Sequence, residues 1–375
     1  MEAEGGASKD VSYGIYFQEP STLTVESGTL TATGGSADKD SGAVYAYASQ
    51  VIVNDGIMTA NGGFSGNVSF GIYSDDITIN GGTVNAYSGV AEISQAMSSV
   101  PNFNIDNKHI IKAGEDGAKV KSVNQKELND NICSYKIIEI EPLIHYGIWI
   151  GDVEVTNENQ DSITCEHIRG NVTYDPDSAT LILNGAEITD SAYIKDGNKY
   201  GIYAEGDLNI MRIGDNSITI PRSEEDKDGA GIYVTGSLNI SGDGKLVVTG
   251  GPATAGDHGD SYGIHVENGD LTVDGGDLIA SGAPAAGSNS SSFGICVHDG
   301  NMNIKNNGNV IANGDNSNRI SFGVYFGGSN ANLTVESGSL TATGGNVVAD
   351  NLKDGLSYGV YFAGESAQLM VNGGF

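Results

Sequence analysis

One short block recurs along the chain, aromatic-Gly-Ile/Val-x, and its fourth position is where chemistry would collect. Full copies are Tyr13-Gly14-Ile15-Tyr16, Phe70-Gly71-Ile72-Tyr73, Tyr200-Gly201-Ile202-Tyr203, Tyr262-Gly263-Ile264-His265, Phe293-Gly294-Ile295-Cys296, Phe322-Gly323-Val324-Tyr325 and Tyr358-Gly359-Val360-Tyr361. Weaker copies are Gly42-Ala43-Val44-Tyr45 and Ala230-Gly231-Ile232-Tyr233. If Ile202 and its equivalents point into a core, the alternation of a strand turns the fourth position outward. A row of exposed Tyr would offer amphipathic rings to the apolar faces and hydroxyls of sugars. Tyr203, Tyr233, His265, Tyr325 and Tyr361 are therefore the candidate ligand-binding residues, with Tyr16, Tyr45 and Tyr73 in the same place earlier in the chain. The competing reading is that these rings pack on one another, as aromatics do across strands.

A second row, Asp207, Ser237, Asp270, Asn301, Asn332 and Gln368, precedes the next apolar segment of each repeat. Acids never occupy neighbouring repeats in it, as expected if stacked like charges are avoided for stability, in preference to a chain of calcium sites. Neither an EF-hand loop nor a Gly-Gly-x-Gly-x-Asp repeat occurs, so no metal ligands are assigned. Asp75, Asp76, Glu205, Asp207, Glu267 and Asp270 are the acids from which a glycosidase or lyase would draw carboxylates about 5 to 9.5 Å apart. No nucleophile elbow, zinc-binding His-Glu-x-x-His, phosphate loop or dinucleotide fingerprint is present, so no catalytic residue and no cofactor are assigned. The six His are scattered, with His265 and His298 expected on neighbouring repeats.

These residues need a scaffold that presents equivalent positions side by side. The fourth positions recur every 28 to 32 residues, with one unit of 36. Each block is followed by Leu/Ile-x-Val/Ile, a Gly-containing turn, and Leu/Val-x-Ala/Val, as in Leu271-Thr272-Val273 to Leu278-Ile279-Ala280. Period-two alternation marks short strands with one buried face, and Gly is expected to supply positive φ at the turns. A unit this short cannot bury its apolar face alone, but coils stacked about 4.8 Å apart merge those faces into one core. The expected fold is all-β: a parallel, right-handed β-helix, or β-solenoid, of about 28 to 36 residues per coil.

The repeat stops between Ala91 and Leu143, where six of the 18 basic residues fall. The organisation expected is two tandem modules: 1–90 as C-terminal coils of the first, 91–142 as its cap, 143–190 as the N-terminal cap of the second, and 191–375 as its coils. Strands are expected at 109–114, 118–123 and 135–140, a helical turn at 125–131, and a hairpin whose tight reversal is set by Asp175-Pro176-Asp177-Ser178. Both ends fall inside a coil, so the chain reads as a piece of a longer multi-module protein. The start, Met1-Glu2-Ala3-Glu4-Gly5-Gly6, has neither the basic nor the apolar region of a signal peptide. Three Cys make no disulfide framework, and Cys133 and Cys165, in adjoining caps, are expected as two reduced, buried thiols in preference to a pair.

Composition narrows the partners. With 18 Lys and Arg against 48 Asp and Glu, the formal net charge is -30, and a nucleic-acid binder needs the opposite sign. No apolar stretch approaches the roughly 20 residues of a membrane span. The 55 Gly lack a three-residue period, which removes collagen.

The Tyr146-Gly147-Ile148-Trp149-Ile150-Gly151 segment, the Val172-Thr173-Tyr174-Asp175-Pro176 hairpin with Thr180-Leu181-Ile182-Leu183, the tandem Tyr-Gly-Ile-Tyr coils and the closing Tyr135-Lys136-Ile137-Ile138-Glu139-Ile140-Glu141-Pro142 together resemble large surface repeat proteins of gut-type anaerobic bacteria. Those are described as carbohydrate-binding-domain-containing or as hypothetical β-helix proteins, and the resemblance covers nearly the whole chain. It implies a secreted or cell-surface protein with a polysaccharide, host or cell-wall glycan as partner. Near-identity of Leu23–Gly35 and Leu333–Gly345, which differ only at Thr29 and Ser339, favours non-catalytic, adhesin-like display. A β-helix lyase or glycoside hydrolase is the alternative, and a passive stalk is the third.

Overall fold

In a full coil the three apolar segments form three strands, for example Ser261–Asn268, Leu271–Asp274 and Asp277–Ser281. Each pairs in parallel with its counterpart one coil on, in Ser291–Asp299, Met302–Lys305 and Gly308–Asn313. The computed structural model describes residues 1–98, 102–222, 227–253, 258–348 and 355–372. It is a β-solenoid in two compact units, Met1–Leu143 and Ile144–Phe375. Ile264, Val266, Leu271, Val273, Leu278 and Ala280 are fully buried. With their equivalents above and below they fill the lumen as continuous columns, so the modest apolar fraction is concentrated where it removes most surface from water.

Two kinds of Gly shape the coil. At the corner between the second and third strands, Gly56 takes the positive φ expected of a tight turn (+84°). Gly294 in the aromatic block serves differently: a Cβ there would lie 2.5 Å from the Asn313 nitrogen and 2.7 Å from the Gly323 oxygen. It points inward, where backbone approaches backbone. The pairing register passes over this Gly, so the aromatic before it and the residue two after it face outward together.

In the second unit, Thr180–Thr189 pairs with Leu208–Ile213 through its first half and with Asp215–Thr219 through its second, bending between at Gly185 (φ +60°). It pairs on its other side with Ile168–Asp175, antiparallel across the Asp-Pro-Asp-Ser turn. His145–Ile150 runs antiparallel to Asn198–Ala204. These strands give all three strands of the first coil a partner and so cover an edge that would otherwise invite further pairing.

In the first unit the change of pattern after residue 90 is not a change of winding. Ile93–Ser98 and Asn102–Ile105 still pair in parallel with Val68–Ile79, so one more coil is laid down without an aromatic-Gly block. Antiparallel structure begins later, with Ile137–Pro142 on Thr83–Tyr87 and His109–Gly114 on Ile137–Pro142. The strand expected at 118–123 is only Lys121–Ser122. The turn expected at 125–131 is a helix, Gln125–Asn131, whose first turn donates the Glu127 N–H to the Asn124 side chain at 2.9 Å. Its buried Leu128 joins the core. Cys133 is exposed, contrary to the expectation of a buried thiol, and both it and Cys165 are free.

Candidate functional site

Strand pairing places Trp149, Tyr203, Tyr233, His265, Cys296, Tyr325 and Tyr361 in one column on the outside of the second unit. The rings of the aromatic-Gly blocks form a second column beside it, because the Gly between the two positions faces inward. Ring meets ring throughout: Tyr203 and Tyr233 are 5.5 Å apart at 3°, Tyr325 and Tyr361 5.9 Å at 11°, and Phe322 and Tyr361 4.9 Å at 20°. His265 sits edge-on to Tyr233 at 5.0 Å and lies 4.6 Å from Tyr262.

An open platform for sugars requires free ring faces, and much of this column uses them internally. Tyr203 is only 2% exposed, because Trp149 and Tyr193 pack on it and Lys195 donates to its hydroxyl at 2.5 Å with Nζ 4.7 Å from the ring centre. The expectation that Tyr203 is available to a ligand is thereby corrected. Cys296 is buried, and Tyr233, His265, Tyr325 and Tyr361 are partly covered. The same arrangement in the first unit, Tyr16, Tyr45 and Tyr73 at 5.2 and 5.0 Å, is more open at its end, where Tyr16 is 54% exposed.

The column changes character at His265 and Cys296. Tyr233 donates to Glu267 Oε2 at 3.3 Å. His265 Nε2 lies 3.1 Å from the same oxygen, out of line for a hydrogen bond, and His298 Nδ1 is 3.6 Å from Oε1. Contact with His265 holds the Glu267 carboxyl below its ordinary range despite partial burial. Burial, then the charge of Glu267, pushes the Tyr233 hydroxyl upward, and burial pushes the Cys296 thiol upward. Near neutral pH these groups rest as carboxylate, phenol and thiol, and a general acid or base needs a pKa near the working pH. Asp260 is shifted upward by burial, but its oxygens accept from the Ser291 N–H at 2.7 Å and the Tyr262 hydroxyl at 3.1 Å. Among the described residues no group of three or more His, Cys, Asp or Glu is placed to hold a metal ion.

The second row is a ladder of side chains reaching from coil to coil. Asp207 Oδ1 accepts the Ser237 N–H at 2.7 Å, Ser237 Oγ the Asp270 N–H at 3.2 Å, Asp270 Oδ1 the Asn301 N–H at 2.8 Å, and Asn301 Oδ1 the Asn332 N–H at 2.9 Å. Beside it, on the outward face of the second strands, Asn209, Asn239, Thr272, Asn303 and Thr334 stand in register. Between these rows lies an open groove of about 400 Å³ lined by Asn301, Asn303, Asn332, Thr334, Glu336 and Met370.

No family model, no curated protein and no solved structure matches this chain. The site is therefore read from its chemistry alone.

Two structural devices were not anticipated from the sequence. A Ser opens seven of the nine blocks, buried in all but Ser357, and it stitches the closing turns together. Ser41 Oγ donates to Gly35 O at 2.7 Å and accepts the Gly63 N–H at 3.0 Å; Ser69 Oγ does the same with Gly63 and Gly89 at 2.8 and 2.7 Å. Ser321 repeats it with Asp315 and Gly345 in the second unit. The signal was present, since Ser12, Ser41, Ser69, Ser261, Ser292, Ser321 and Ser357 all hold the same place. The other device is Arg212, 1% exposed, which donates to the carbonyls of Ser241, Gly242, Gly275 and Asp277 at the corners of the following coils. Its signal was a cation in the inward register of Leu208-x-Ile210-x-Arg212.

Proposed function

We propose that this chain belongs to a non-catalytic, secreted or cell-surface repeat protein that presents a long solenoid face to a glycan. The observation that carries the reading is the register of outward polar columns, above all Asn209, Asn239, Thr272, Asn303 and Thr334. A polymer lying along them meets the same kind of partner at each coil, so weak contacts add through effective concentration. The near-identity of coils supports display over catalysis, which needs one singular constellation.

The alternative, a β-helix polysaccharide lyase or glycoside hydrolase, would draw on the one singular cluster, Tyr233, His265, Glu267 and His298. That cluster holds one carboxylate, Glu267, where a glycosidase draws on two. The test is a screen of the intact protein against polysaccharides in which retention and release of reducing or unsaturated ends are read together. Retention without release is the expected result. Release of ends would establish the enzyme, and neither retention nor release would leave a passive stalk.

A further inference from the structure

Building on the glycan-contact reading, we infer that the groove beside Asn303 and Thr334 binds a neutral, linear polysaccharide laid along the solenoid axis, one sugar residue to each coil. Its walls carry amides and a hydroxyl, groups that both donate and accept as sugar hydroxyls do, and the Glu336 carboxylate, which accepts. Parallel strands repeat about every 4.8 Å, close to the advance of one pyranose in an extended chain, so the register is kept from coil to coil without bending the ligand. The formal net charge of -30 repels polyanions and leaves neutral polymers as the class that fits.

The groove also holds groups not spent on the fold. Asn303 Nδ2 is tied to Glu336 Oε1 at 2.7 Å, while its Oδ1 is buried and has no hydrogen-bond partner among the described residues. Buried acceptors ordinarily find a donor, and rotation of this amide toward an entering hydroxyl supplies one. Met370, in register with Thr334 on the outward face and 46% exposed, offers a polarizable apolar surface to the C–H face of a sugar. The aromatic column, with rings stacked on rings, contrasts with this: its faces are already in contact.

The experiment is affinity electrophoresis and calorimetry of the full chain with mixed-linkage β-glucan, its oligosaccharides of increasing length, and polygalacturonate as the anionic counterpart. Wild type is expected to bind the neutral glucan, more tightly with each added sugar until the groove is filled. Thr334→Val, near-isosteric, and Asn303→Ala are each expected to weaken binding, and the pair together by about tenfold, while Tyr325→Ala leaves it within about twofold. Thermal denaturation of each variant checks the fold, and Thr334→Val alone decides if Asn303→Ala proves unstable. Neutral glucan bound equally by Thr334→Val and wild type overturns the groove assignment and leaves the glycan reading standing, as does preference for polygalacturonate. Failure of wild type to retain any polysaccharide in the wider screen overturns both.

Discussion

The aromatic column and the amide column run side by side along the same coils, yet they face opposite demands. Along the first, each ring finds its partner in the coil above or below, as Tyr203 does with Tyr233 and Phe322 with Tyr361. Along the second, one row of side chains is committed to neighbouring N–H groups, from Asp207 to Asn332, while in the row beside it Asn209 and Asn239 bond within the protein and Asn303 leaves its Oδ1 without a partner among the described residues. Repetition alone does not say whether a column is for holding the solenoid or for touching something else. What separates the two is whether each residue's interactions are completed within the column.

The contrast can be broken most forcefully at Tyr233. Tyr233→Ala removes contacts to Tyr200, Tyr203 and His265 and is expected to cost about 2 to 4 kcal/mol, scaled down from full burial. A large drop in the midpoint of chemical denaturation with unchanged glycan retention is the expected pairing. Loss of retention without loss of stability would reverse the roles assigned to the two columns.

Next in size is the buried Ser row. Ser321→Ala leaves the Asp315 carbonyl without this donor and the Gly345 N–H without this acceptor, at an expected cost of about 1 to 3 kcal/mol, read in the same denaturation. In the committed row, Asn301→Ala takes an acceptor from the Asn332 N–H and should cost about 1 kcal/mol. Thr334→Val should change stability by less than about 0.5 kcal/mol, with its effect confined to binding.

Alkali offers a further way to sharpen the comparison, since phenols titrate and amides do not. Tyr13 in the first unit's column is pushed up to about 12 by burial, and Tyr87 also to about 12, by burial and then its hydrogen bond to Glu139. A raised folded-state pKa means stability that is complete below the unfolded value near 10 and is lost as pH rises toward 12. The melting temperature should therefore hold steady from neutral pH to about 9 and fall beyond about 10. Replacing Tyr13 with Phe should reduce that fall, and an unchanged profile would show that the phenols do not govern it.

Much of this architecture was legible from residues. Leu271-Thr272-Val273 and its copies alternate so regularly that strands, corners and lumen could be assigned, and the coil-to-coil ladder followed from Asp207, Ser237 and Asp270. Coverage was less legible, because it depends on what distant segments bring. Tyr193 and Lys195 close over Tyr203 from a strand that shares none of the repeat's pattern, and Trp149 does so from an antiparallel strand, although Tyr146-Gly147-Ile148-Trp149 has the form of the block. The coil formed by Ile93–Ser98 and Asn102–Ile105 was missed because Ser94-Gln95-Ala96-Met97 lacks the aromatic-Gly block, while backbone pairing to Val68–Ile79 needs no such signature. The Gly of that block had no role assigned from the sequence, and only the proximity of neighbouring backbone, as at Gly294, reveals that space is what it provides.

The buried Ser row carries a consequence for how such a chain changes length. Where the row is present, as at Ser12, Ser41, Ser69 and Ser321, each Ser is satisfied partly by its own coil and partly by the next, so such coils offer their neighbours the same two bonds. Duplication or deletion between stretches as alike as those encoding Leu23–Gly35 and Leu333–Gly345 leaves every hydroxyl paired when a complete coil is gained or lost. An insertion that parts the Ser from the closing Gly strands a donor and an acceptor, whereas the longer turn between Gly345 and Ser357 still brings the two together at 2.8 Å. Hydrogen bonding thus favours the whole coil as the increment by which the solenoid grows, with extra length confined to turns that keep Ser beside Gly.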